Sequence, residues 1–131
     1  MDRPVAFIYD RCTTTNTAVL ELRLKACAKY VSAHGWAFGG WWVDKGDEAL
    51  TDDCRPAFDV LLRTLERTGA AQPRVCLVHD WHRLSRDEWA RRAFARRVTM
   101  AGGWVETVAG ETSRAEDARR GLLTGAPDGG V

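Results

Sequence analysis

Little in this sequence points to a membrane, a secretory route or a metal. No apolar run approaches the roughly 20 residues needed to span a bilayer, and the start, Met1-Asp2-Arg3-Pro4, is not a secretory signal, so a cytoplasmic protein free of membrane is expected. Four cysteines, Cys12, Cys27, Cys54 and Cys76, lie far apart and form no CxxC pair, which excludes a disulfide framework or zinc ribbon and leaves reduced thiols. Cys76, His79 and His82 recur every three residues, but on a strand Cys76 and His79 face opposite ways and no fourth ligand is evident, so no metal site is expected. The net charge of +1 removes any global electrostatic argument for nucleic acid, and such a case must rest on local clusters. No glycine-rich loop follows the first strand-like run, which weakens a nucleotide-binding, flavodoxin-like reading. Internal repeats and long linkers are absent.

What is present fits one α/β domain. A chain of 131 residues, 45% of them hydrophobic, buries one core, expected over residues 1–124 with 125–131 as a frayed glycine-rich tail. Val5, Ala6, Phe7 and Ile8 read as a strand apolar on both faces, ending at Asp10-Arg11. A threonine-rich turn then caps a helix to about Ser32, with Leu20, Leu24, Cys27 and Val31 on one face. Trp36 to Val43 is a second strand, glycine-softened at Gly39-Gly40, and it delivers Asp44 to an acidic loop. Arg55-Pro56 opens a helix burying Phe58, Leu61, Leu62 and Leu65. Val75 to Asp80 is a third strand, buried on both faces. Ser85 and Glu88 form a capping box for a helix that buries Trp89, Ala93 and Phe94. Trp104 to Ala109 is a fourth strand, and Ser113 with Glu116 caps a short last helix. The alternation predicts a mainly parallel sheet of four or five strands with helices on both faces.

In such sheets ligands bind outside the carboxyl ends of the strands. Here those ends carry Asp10-Arg11-Cys12-Thr13, Asp44, and His82-Arg83-Leu84-Ser85-Arg86. Any one of Arg11, Arg55, Arg83 and Arg86 is accounted for by a neighbouring carboxylate such as Asp10, Asp87 or Asp44. Four together at one edge point to a phosphate, because guanidinium groups fork onto phosphate oxygens and stay charged at physiological pH.

These residues also carry a resemblance. Tyr9-Asp10-Arg11-Cys12-Thr13-Thr14 resembles the Y-x-R-V-S-T motif that opens resolvase/invertase-type serine recombinases. Asp44 resembles the aspartate ending their second strand, Asp53-Cys54-Arg55-Pro56 their D-R-P helix start, and Trp81-His82-Arg83-Leu84-Ser85-Arg86-Asp87 their L-D-R-L-S-R-D. The four motifs fall in order across Val5 to Gly110. The resemblance implies a serine nucleophile that attacks a DNA phosphodiester without metal or cofactor. Arg11, Arg83 and Arg86 would hold the scissile phosphate, Arg55 would reach it from a mobile loop, and Tyr9 and Asp44 would support the site.

The departures from that pattern carry equal weight. Thr13 stands at the serine position, and its β-methyl restricts χ1 and crowds an in-line approach, so most activity is expected to be lost. His82 replaces an aspartate, keeping a proton donor but removing a charge that orients arginines. Thr17 and Leu22 occupy positions where the family often has glutamine. The long dimerising helix and helix-turn-helix module of the family are expected to be lacking. The implied protein is a catalytically impaired domain acting on DNA through weak backbone contact or through a protein partner such as a full-length recombinase, with a homodimer among the permitted assemblies. The alternatives are a protein-interaction module without DNA contact, and a slow recombinase or nicking domain using Thr13. Between Arg83 and Arg97 six arginines face only Asp87 and Glu88, enough for weak, salt-dependent backbone contact, although a solvated helix face is the favoured account of Arg91, Arg92, Arg96 and Arg97.

Overall fold

A computed structural model describes residues 3–13, 17–46, 51–52 and 54–114. Strands β1 (Val5–Cys12), β2 (Ala37–Lys45), β3 (Arg74–Val78) and β4 (Trp104–Thr107) alternate with helices α1 (Thr17–Ala33), α2 (Pro56–Thr68) and α3 (Glu88–Met100), and a single 3-10 turn, Trp81–Arg83, follows β3. Every neighbouring pair of strands is parallel, in the order β2-β1-β3-β4. This is the parallel α/β sheet that the element order implies. No described helix is long and apolar enough to cross a membrane.

Strand alternation divides the core into two layers. Phe7 and Tyr9 of β1 join Phe58, Leu61 and Leu65 of α2 and Phe94 and Val98 of α3. Ala6 and Ile8 turn the other way, onto Cys27 and Val31 of α1. β3 is buried at every residue, as a strand between two helical layers must be. The four apolar residues expected on α2 are all buried, and proline sits in its first turn. Gly39 is skipped in the β1–β2 register, and a Cβ there would lie 2.9 Å from the Ala6 carbonyl oxygen. Glycine is therefore what lets β2 bulge against β1.

Several local expectations are corrected. α3 starts at Glu88 with Asp87 as its cap, whose carboxylate accepts from the Ala90 amide at 2.8 Å. Ser85 instead accepts from the Asp87 amide and donates to Asp52. Trp89 is 76% exposed and Ala93 is exposed too. The buried row is Phe94 and Val98, and a residue five positions before Phe94 lies roughly 140° around the helix from it. Leu84 fills the core above that row. β4 ends at Thr107, and Ser113 accepts from the Val105 amide. The threonine cap at 14–15, most of the acidic loop, Glu116, the last helix and the tail lie outside the described residues.

The order of strands positions the site. β2 lies on one side of β1 and β3 on the other, so the connections leaving β1 and β3 diverge and open a crevice at their carboxyl ends.

Candidate active site

That crevice is a cleft of about 690 Å³. β1 supplies Arg11, the exposed Thr13 follows its last residue, the segment after β3 supplies Arg83 and Arg86, and α1 supplies Arg23. Asp52 and Ser85 complete one wall. Thr13, Arg11, Arg83 and Arg86, far apart in the chain, thus share one cleft as expected.

Beneath the arginines lies Asp10, 1% exposed. Its Oδ2 accepts from Arg23 Nε at 2.8 Å, and its Oδ1 accepts from Arg23 Nη2 at 3.0 Å and from Arg83 Nη1 at 3.3 Å. Burial works against the charge of Arg23, but hydrogen bonding and attraction to Asp10 outweigh it and raise its pKa. Arg83 is steadied further by the Arg11 carbonyl at 3.0 Å and by Asp80 Oδ1 at 3.4 Å. Arg11 donates from Nε to the His82 carbonyl at 2.8 Å. Burial, then repulsion from Arg55 and Arg83, hold its pKa below the usual arginine range. Crowded cations of this kind are relieved by an anion in the cleft. Arg86 is exposed at the rim.

Two expected site residues stand elsewhere. Arg55 is 2% exposed and does not line the cleft. Its guanidinium donates to the Thr51 carbonyl, to Tyr9 Oη at 3.2 Å and to Asp52 Oδ1 at 2.9 Å, and lies 4.7 Å from the centre of the Phe94 ring. Those partners hold it behind the cleft wall instead of reaching over a phosphate. His82 is exposed, its side chain outside the cleft lining, and what it gives the site is the carbonyl that accepts from Arg11.

Tyr9 and Asp44 form a buried pair beside Arg55. Tyr9 donates to Asp44 Oδ2 at 2.8 Å, and burial first, then its bond to Asp44, push the phenol pKa far up and keep it protonated. Asp44 also accepts from the amides of Ala57 and Phe58, at 2.8 and 3.2 Å. A carboxylate on β2 thereby caps α2, whose own Arg55 supplies no side-chain cap.

Sequence reasoning missed Arg23 as a cleft residue and the part Asp10 plays beneath it. The signal was present. Arg23 interrupts the buried row of α1 between Leu20 and Cys27, and Asp10 ends a run of buried β1 residues. A charge at such a place requires a partner. Leu22, at a family glutamine position, is 66% exposed, and Thr17 is also exposed.

Comparisons with known proteins identify the family and the fold. The family model described as "Resolvase, N terminal domain" matches residues 6–121. No curated protein matches the chain. Among solved structures, the N-terminal catalytic domain of TP901-1 integrase is 21% identical with a TM-score of 0.69, the match covering 92% of this chain and 89% of that one. The C-terminal catalytic domain of ISC1926 TnpA, an IS607-like serine recombinase, is 19% identical with a TM-score of 0.65, covering 92% and 78%. A resolvase family site-specific recombinase from Streptococcus pneumoniae is 15% identical with a TM-score of 0.72, covering 94% and 85%. At these identities the structures establish a common fold, while the family match takes in the β1 motif and the segment after β3 that line the cleft; by that match the chain belongs to the resolvase N-terminal domain family, the catalytic domain of serine recombinases.

Proposed function

We propose that the cleft binds a backbone phosphodiester of DNA, and that with Thr13 at the nucleophile position the domain is a strongly impaired strand transferase that serves mainly as a DNA-associated or regulatory protein. The observation that carries this reading is the meeting of Thr13 with Arg11, Arg83 and Arg86 in one cleft. Phosphoryl transfer depends on positioning and on neutralising the non-bridging oxygens, and an arginine cage supplies both. In the residual reaction the Thr13 hydroxyl oxygen bonds to phosphorus and the bond from phosphorus to the 3′ oxygen breaks. The hydroxyl proton leaves to solvent, and the 3′ oxygen takes one up. The β-methyl of Thr13 limits the rotamers from which the hydroxyl approaches in line. Arg55 keeps a scaffold role in this reading, tying Tyr9 to Asp52.

Incubation with nicked or phosphorothioate-containing duplex tests it. Thr13→Ser is expected to form a covalent protein–DNA adduct, Thr13 itself a trace, and Thr13→Ala none. No adduct with Thr13→Ser, together with no salt-dependent affinity for duplex DNA, rejects the reading.

A second reading, protein contact without DNA, draws on exposed apolar side chains: Trp89 and Met100 on α3, each 76% exposed, and Phe38 with Trp41 on edge strand β2. A homodimer or copurified partner, with no retention of DNA at low salt, supports it over the first.

A further inference from the structure

We infer that Arg23 is a further phosphate-binding residue of this cleft, and that Asp10 is the positioning carboxylate that aims both Arg23 and Arg83 into it. The inference rests on reading the cleft as a phosphodiester site and adds the residues that shape it.

The orientation of Arg23 carries the argument. Asp10 engages the edge of its guanidinium formed by Nε and Nη2, and Nη2 also reaches the Arg11 carbonyl at 3.3 Å. Nη1 has no hydrogen-bond partner among the described residues, while the side chain is 14% exposed and lines the cleft. Arg83 repeats the arrangement. Its Nη1 is held by Asp10 and the Arg11 carbonyl and its Nε by Asp80, so Nη2 is the end left unengaged among the described residues. A guanidinium gripped on one edge keeps its remaining donors in a fixed direction, which lowers the ordering cost of meeting a phosphate. Asp10 is too buried to meet the ligand.

The same trio makes good two departures from the family pattern. Where the motif after β3 has an arginine-orienting aspartate, this chain has an exposed His82. Asp10 on β1 supplies a carboxylate to Arg83 from the neighbouring strand. Where α1 has a family glutamine, this chain has the exposed Leu22, and the next residue, Arg23, turns into the cleft. The polar support has moved by one residue on α1 and by one strand in the sheet.

Fluorescence anisotropy with a short DNA duplex, run on the full chain at several salt concentrations, tests this alongside melting temperatures. Arg23→Gln is expected to weaken binding about tenfold and to flatten the salt dependence by about 0.9 in log–log slope, one phosphate contact's worth. Arg23→Lys, which keeps the charge and the fold but not the fork, is expected to fall between. Asp10→Asn is expected to weaken binding several-fold, and that effect is expected to vanish when Arg23 and Arg83 are both already glutamine, since a positioning residue acts only through the groups it positions. An Arg23→Gln or Arg23→Lys protein with a lower melting temperature but unchanged affinity and slope overturns the inference and makes Arg23–Asp10 a structural ion pair. If Arg83→Gln and Arg86→Gln also leave affinity and slope unchanged, the phosphodiester reading itself fails.

Discussion

The two ends of the parallel sheet both carry arginines, and they use them differently. At the amino end Arg74, at the start of β3, is 8% exposed and donates from Nη1 to the carbonyls of Leu65 at 2.9 Å and Ala101 at 3.5 Å, next to the C-termini of α2 and α3. At the carboxyl end Arg11, Arg23, Arg83 and Arg86 line an open cleft. The parallel topology explains the difference. Helices leaving a parallel sheet finish near its amino edge, where unpaired carbonyls and the negative end of the helix dipole hold a cation, even though Arg74 Nε is buried with no hydrogen-bond partner among the described residues. At the carboxyl edge the helices begin, and their amides offer a cation nothing. Arginines there need carboxylates such as Asp10 or an incoming anion, so one residue type is mortar at one end and, under the proposed function, binding machinery at the other.

Substitutions at the two ends sharpen this contrast, and the stability effects rank by how completely each guanidinium is already satisfied. Arg55→Ala, at the carboxyl end but walled in by Tyr9, Asp52, Thr51 and Phe94, is expected to cost the most, about 3 kcal/mol by denaturant titration. A cost near zero would return Arg55 to the cleft. Arg74→Ala is expected to cost about 2 kcal/mol with DNA affinity per folded molecule unchanged, and a matching loss of affinity would erase the distinction between the ends. Gly102→Ala is expected to cost about 1 kcal/mol in the same assay, because φ is +102° and the new Cβ would run into the Arg74 guanidinium. Arg86→Ala is expected to change stability by less than about 0.5 kcal/mol while lowering DNA affinity and its salt slope.

The smallest effect is a pH dependence. Burial would raise the Asp80 pKa, but hydrogen bonding to His79 and the charge of Arg83 outweigh it and lower the value. A carboxylate with a lowered folded pKa stabilises the fold above its unfolded value and loses that contribution as pH falls through the folded one. Asp80→Asn is therefore expected to flatten slightly the fall in melting temperature between about pH 4 and pH 2, the range beneath an ordinary carboxylate pKa.

Much of this was legible in order along the chain. The apolar runs at Val5–Ile8 and Val75–Val78 and the row Phe58, Leu61, Leu62, Leu65 announce strands and a helix by spacing alone, because burial on both faces or on one stripe imposes that spacing. The motif arginines Arg11, Arg83 and Arg86 were legible because they sit beside strand ends. Trp89 was misplaced because the cap is Asp87 and the buried row runs through Phe94 and Val98, so the tryptophan falls on the solvent side. Arg55 was misassigned because adjacency to a motif does not say whether a side chain turns toward the cleft or into the packing behind it.

The sequence by itself determined the alternation of strands and helices, the parallel sense of the sheet that helical crossovers bring, and the gathering of cations at one edge, since each depends only on local spacing and chain connectivity. Tertiary structure alone decided which guanidiniums face the cleft, that Asp10 grips two of them, and that Asp44 caps a helix thirteen residues away. Those are choices of direction between side chains distant in sequence, and they are settled only when the packing of all layers fixes where each polar group can find a partner.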